Sequence, residues 1–99
     1  MNVVVSDEAE ADLERIADYI AEDNPARALS FVRELGARCG EIAHMPRGFP
    51  LVPPYEQKGI RRRVHGSYLI LYRINDEVIE ILHILHGALH FEPLLFPEG

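Results

Sequence analysis

Residues 60–86 read IRRRVHGSYLILYRINDEVIEILHILH. Three runs in this stretch, Ile60–His65, Tyr68–Ile74 and Val78–His86, are rich in branched and aromatic residues. They are separated by Gly66-Ser67 and Asn75-Asp76, residue pairs that suit tight turns. The pattern predicts a three-stranded antiparallel meander. Pairing across an Asn75-Asp76 turn sets Tyr72 opposite Ile79, Ile70 opposite Ile81 and Tyr68 opposite His83 on one face. The other face carries Leu69, Leu71 and Arg73 against Leu82, Glu80 and Val78. The first face is the better one for packing. On the second, Leu69, Leu71, Leu82 and Ile84 form a patch on the order of a few hundred Å2, the scale that marks a partner site. The alternative is that Phe91, Leu94, Leu95 and Phe96 at the C-terminal end fold back over it, since an apolar tail gains by covering an apolar face.

Upstream of the meander the period changes from two to that of a helix. Val3, Val4 and Val5 suit a short strand. Ser6 can cap a helix whose first turn holds Asp7, Glu8 and Glu10, negative charge at the positive end of the helix dipole. Leu13, Ile16, Ala17 and Ile20 form one apolar stripe, with Tyr19 on its flank, and the helix is expected to stop near Glu22. Asn24 and Pro25 then start a second helix, with Ala28, Phe31, Val32, Leu35, Cys39, Ile42 and Ala43 on its stripe as far as Met45-Pro46. So short a linker favours an antiparallel helix hairpin. Residues 46–59 contain four prolines and two glycines and read as an irregular crossing. The expected architecture is α+β, one domain over residues 1–99: a short N-terminal strand, a two-helix hairpin and the meander.

Composition narrows the function classes. Hydrophobic residues are 47% and charged residues 26% of the chain, ordinary values for a globular protein. No apolar run approaches the roughly 18 residues of a membrane span. The first residues lack the basic flank and apolar core of a secretion signal. The single cysteine, Cys39, cannot form an internal disulfide and reads as a buried thiol. These features point to a cytoplasmic protein. The net charge of −6 makes general nucleic-acid binding unfavourable, because phosphate affinity needs clustered positive charge. A protein partner fits the balance better.

Several segments, taken in order, carry a resemblance. They are Ala11-Asp12-Leu13, Ile16, Tyr19-Ile20-Ala21, Asn24-Pro25 with Ala28 and Phe31-Val32, Leu35, Met45-Pro46 and Gly48. They continue through Arg61-Arg62-Arg63-Val64, Gly66-Ser67-Tyr68, Tyr72-Arg73 and the run Ile81–Ala88. The chain resembles, over nearly its whole length, the ParE branch of the ParE/RelE toxin superfamily. The resemblance implies the RelE/ParE-like fold, a ParD-like antitoxin as partner in a hetero-oligomer, and DNA gyrase as target. The RelE branch instead cuts messenger RNA on the ribosome. A third reading is an interaction module without toxicity that still binds its partner.

The residues separate these readings. Cutting RNA requires acid/base groups and cationic side chains around the phosphate. Where the RelE branch places arginine after the strand tyrosine, this chain has Leu69 after Tyr68, and where it places another past the final strand, this chain has Leu89. Lys58 is the only lysine. Losing one such donor typically removes ~3–4 kcal/mol of transition-state stabilisation. The expectation is a binding protein with no catalytic residue, cofactor or metal. His83, His86 and His90 do not alter this, since residues three apart on a strand point to opposite faces. Arg61, Arg62 and Arg63 form the one basic run, with Arg62 on one face and its neighbours on the other. The run guards an edge strand or pairs with acidic partner groups. The candidate antitoxin- or target-binding residues are therefore Arg61, Arg62, Arg63, Leu69, Leu71, Arg73, Leu82, His83 and Ile84. ParE relatives often carry arginine where this chain has His83 and an Arg-Asp pair where it has Leu89-His90, so the target contacts of this chain could differ from theirs.

Overall fold

The computed structural model describes residues 1–87. Its elements are β1 (Asn2–Val5), α1 (Asp7–Asp23), α2 (Pro25–His44), a 3-10 turn (Glu56–Lys58), β2 (Arg61–His65), β3 (Tyr68–Asn75) and β4 (Val78–His86). The helices start where capping predicts. Ser6 Oγ accepts from the Ala9 N–H at 3.0 Å. Asn24 closes α1 through its own N–H to Ile20 and opens α2 by accepting from Arg27 N–H at 3.0 Å, with Pro25 following it. A single residue therefore turns the chain between two helices, and their apolar stripes face the same sheet.

The sheet has the order β1-β4-β3-β2. It is mixed rather than purely antiparallel: the N-terminal strand joins the meander by running parallel to β4, with Val3 beside Ile79 and Val5 beside Ile81. A parallel neighbour needs a long connection, and the hairpin, the crossing and two strands provide it.

The register of the meander corrects the pairing expected from sequence. Asn75 pairs Val78, so the turn residues are Asp76 and Glu77, with Asp76 at a left-handed φ of 56°. Tyr72 then opposes Ile81 rather than Ile79. Between Leu71 and Tyr72 the register shifts again, leaving Leu82 of β4 without an opposite residue, so Ile70 meets Ile84 and Tyr68 meets His86. A bulge of one residue inverts every side chain beyond it. Ile84 consequently turns inward, and His83 is not part of the packed face.

Two apolar clusters sandwich the sheet. On the helix side, Ala9 and Ile16 of α1 and Phe31, Leu35 and Ile42 of α2 pack on Ile70, Tyr72, Ile79, Ile81 and Ile84. Tyr72 is fully buried, and its hydroxyl donates to the Pro46 carbonyl at 2.7 Å. Burial pushes the Tyr72 phenol above its ordinary pKa. On the opposite side, Val52 and Ile60 from the crossing cover Leu71 and Leu85, with Tyr55, Leu69 and Leu82 at the margin. Each such side chain contributes roughly 1.5–3 kcal/mol when fully buried. The outer patch inferred from sequence is thus largely filled by the proline-rich segment. Residues Phe91, Leu94, Leu95 and Phe96, expected to compete for it, lie outside the described residues, as do Leu89 and His90. Among the described residues no helix is long and apolar enough to cross a membrane.

Two glycines in α2, Gly36 and Gly40, are exposed, and an added Cβ at either would meet nothing within 4 Å. Glycine in a helix interior costs about 0.5–1 kcal/mol relative to alanine. Gly36→Ala and Gly40→Ala should each raise stability by that amount, read as a higher denaturant midpoint.

Candidate functional site

The docking of α1 on the sheet is organised by one carboxylate. Beyond Val5, β1 ends and the exposed side of β4 passes to α1. There Ser6 N–H donates to the Ile81 carbonyl, and Ser6 Oγ donates to the Leu82 carbonyl at 3.0 Å. Asp12, one turn before Ile16 on the same stripe, is 4% exposed. Its Oδ2 accepts from the Ile84 N–H at 2.9 Å and lies 2.8 Å from His83 Nδ1, while Oδ1 accepts from Arg15 at 2.6 Å. The bulge at Leu82 is what brings His83 to this position. A buried carboxylate is tolerable only when its lone pairs are satisfied, and here three donors converge on it. His83, a candidate contact residue, is held by this carboxylate.

The arginine run is distributed as alternation predicts. Arg62 is exposed on one face, while Arg61 and Arg63 point towards α2 and the crossing. Arg61 donates to the carbonyls of Phe49 at 2.6 Å and Arg47 at 3.3 Å. Arg63 donates to Glu41 at 2.8 Å and to its neighbour's carbonyl, Val64, at 2.8 Å, with its guanidinium 5.0 Å from the Phe49 ring centre. Arg38 Nε lies 2.9 Å from the other Glu41 oxygen, yet off the angle of a hydrogen bond, so this contact is an ion pair alone. Arg73 pairs Glu80 across the strands at 2.8 Å.

At the far end of β2, His65 Nε2 meets Glu34 Oε1 at 2.9 Å, and Arg27 bonds both Glu34 oxygens. The Arg27 hydrogen bonds, followed by that of His65, hold the Glu34 carboxyl below its ordinary pKa, and Arg63 does the same for Glu41. A carboxylate with a depressed folded-state pKa adds stability above its unfolded value of about 4.3, and that stability is lost as pH falls through the lower folded value. Both groups are partly exposed, so screening keeps the effect modest. The denaturant midpoint should fall below about pH 4.3, and the fall should be shallower in the Glu34→Gln, Glu41→Gln double variant.

Around the Gly66-Ser67 turn lies an aromatic cluster that the sequence reading did not assemble. Tyr68 packs edge-on against Phe31 at 5.1 Å and against His86 at 5.5 Å between ring centres, and Arg27 sits 5.3 Å from the Phe31 ring centre. Shallow clefts open on both sides of Tyr68, one reaching Arg15, Tyr19 and His86, the other Arg27, Glu34 and His65.

The structure thus places the candidate contact residues unequally. Arg62 is exposed, and Leu69 and Leu82 are half-buried on the outer face. Leu71, at 0% exposure, and Ile84, in the helix-side core, are interior residues and not surface contacts. Arg61, Arg63, Arg73 and His83 are bonded within the fold. Asp12, which holds His83, Glu41, which holds Arg63, and Glu34, which holds Arg27 and His65, were not among the candidates. For Asp12 a signal existed, because its spacing of four from Ile16 puts it on the buried face. Cys39 is partly buried, and desolvation raises its thiol pKa, which disfavours the reactive thiolate. Among the described residues no group of three His, Cys, Asp or Glu is placed to hold a metal ion.

Comparison with known proteins is consistent with this geometry. A chain from the chromosomal ParDE toxin-antitoxin system of P. aeruginosa superposes with a TM-score of 0.74 at 22% identity, over 87% of this chain and 95% of that one. A chain from the RelBE2 toxin-antitoxin complex of Mycobacterium tuberculosis gives a TM-score of 0.59 at 28% identity, over 86% and 95%. No curated protein gives a significant match. The model of the ParE toxin of the type II toxin-antitoxin system parDE matches residues 3–90. With nearly the full length matched, the chain belongs to the ParE toxin family.

Proposed function

We propose that this chain is a cytoplasmic toxin, silenced by a ParD-like antitoxin, that acts by binding DNA gyrase and not by catalysis. The observation that carries the choice of binder over nuclease is the state of the cationic groups. Arg61, Arg63 and Arg73 on the strands are bonded to carbonyls or carboxylates of the same chain. Groups so committed are poorly placed to stabilise a phosphate in a transition state. Tyr68 is flanked by Leu69 where a nuclease of this fold needs a cation.

The decisive measurement is supercoiling by purified gyrase, titrated with the free protein. Dose-dependent inhibition is expected, and no inhibition at any concentration would remove gyrase as the target. The second reading, ribosome-dependent cleavage of messenger RNA, draws on the likeness to the RelBE2 chain and on the cluster of Tyr68, His65, His86 and Arg27. Mapping transcript ends after induction tests it. Position-specific cuts that disappear with Tyr68→Phe would favour the nuclease.

A further inference from the structure

Each edge of a sheet presents backbone donors and acceptors that a further strand can use. Along β2 they are occupied. Val52 N–H donates to the Ile60 carbonyl at 2.8 Å, Arg62 N–H to the Pro50 carbonyl at 3.1 Å, and the Arg63 guanidinium to the Val64 carbonyl at 2.8 Å. Along β1 they are not. Ser6 N–H bonds the Ile81 carbonyl of β4, and backbone groups alternate along a strand, so those of Val4 face β4 while those of Val3 and Val5 face away from the sheet. Among the described residues nothing bonds them. Val4 and Val5 are 52% and 38% exposed, and the strand holds no charged residue and no proline.

This edge is complementary to itself. Two β1 strands laid antiparallel, with Val4 of each copy facing the other across a two-fold axis, set Val3 opposite the partner's Val5 at both ends. Each of these pairs exchanges an N–H···O bond in both directions, and no outward-facing group of Val3 or Val5 is left over. Val3 packs on the helix-side core, so Val4 projects from the opposite face. There it meets its own copy at a non-hydrogen-bonded position, where side chains approach most closely. Charge permits the contact. Asp7 lies three residues from the axis, and antiparallel strands leave in opposite directions, so the two Asp7 residues stand about 20 Å apart. That is twice the screening length of about 8–10 Å at physiological salt. With the β2 edge closed, pairing through β1 also stops at two chains, because it uses the one open edge of each.

We propose that the open edge of β1 is a contact between two copies of this chain, which pair antiparallel about Val4 and join two four-stranded sheets into one continuous sheet. The strand has four residues, so the contact is small beside the roughly 1,200–2,000 Å2 of a tight interface, and the two copies separate readily. The inference is independent of the target and of the antitoxin.

Sedimentation velocity of the full chain, free in solution, should show the mass rise from one chain to two between about 1 µM and 1 mM. Over that range amide exchange at Val3 and Val5 should slow by about tenfold, while Val4, already bonded to β4, changes little. Val5→Pro removes an N–H that the single chain does not use, at a position where an edge strand accepts proline. It should keep the circular dichroism of the parent and remain a single chain. Should that variant fail to fold, Val4→Arg alters an exposed side chain, sets like charges face to face at the axis, and should also remain single. In a Cys39→Ala background, Val4→Cys should cross-link to its own copy under oxidised glutathione about tenfold faster than Leu29→Cys, an exposed position on α2. Equal rates would overturn the assignment. So would a parent chain that stays single up to about 1 mM, and protection of Val3 and Val5 gained only on adding another protein would then give the edge to that partner. A dimer that persists in the folded variants, or forms without protection at Val3 and Val5, would place the contact on another surface and overturn it too.

Discussion

Asp12→Ala is expected to lower the stability of this protein by roughly 3–5 kcal/mol, the cost of breaking a buried charged contact and leaving its partners behind. The carboxylate is buried and satisfies the Ile84 N–H, His83 and Arg15 at once. Removing it strands a backbone donor in a region closed to water, which alone costs about 1–3 kcal/mol. Against a total stability of about 5–15 kcal/mol for a domain, the loss is large enough to reduce the folded population at growth temperature. Asp12→Asn should cost less, since an amide oxygen can still accept from Ile84 but carries no charge for Arg15. A urea titration of both variants reads the effect. A loss below about 1 kcal/mol for Asp12→Ala would mean that the carboxylate does not anchor α1 to β4.

The second large effect is expected at Leu71. Its side chain is fully buried between β3 and the crossing, among Val52, Ile60 and Leu85. Leu71→Ala leaves a cavity that the rigid proline segment closes only partly, and the expected loss is about 2–5 kcal/mol. Arg62→Ala, at an exposed position of the neighbouring strand, should stay within about 0.5 kcal/mol. The contrast decides what the outer face is for. If Leu71 is core, its variant loses stability while the folded fraction binds partners with unchanged affinity. Selective loss of binding at unchanged stability would return Leu71 to the surface.

The helices were legible because their signals are local. Ser6, Asn24 and Pro25 mark the starts, and the stripe through Ile16 and through Phe31, Leu35 and Ile42 marks the faces. The strands of the meander were legible for the same reason. Their register was not. It depends on whether Asn75 or Glu77 joins Asp76 in the turn, and on one extra residue at Leu82, neither of which leaves a local signal in the sequence. The error carried through to the candidate site: Ile84 was assigned to the outer face, and the position of His83 near Asp12 could not be seen. The cover over Leu71 was missed because Leu51-Val52 lies within a proline-rich tract that reads as loop. The parallel pairing of β1 leaves no local trace at all, since its partner strand is the last of the meander.

That pairing has a consequence for the order of assembly. The Ser6–Leu82 and Asp12–Ile84 contacts span 76 and 72 residues. Closing so long a loop is slow compared with forming a helix hairpin or an adjacent-strand turn. During synthesis the amino end therefore waits, unpaired, until β4 has left the ribosome. A polypeptide cut short before β4 would have its helices and two strands but would lack the strand that β1, Ser6 and Asp12 all bond to, so the finished shape becomes available only after β4 has been made.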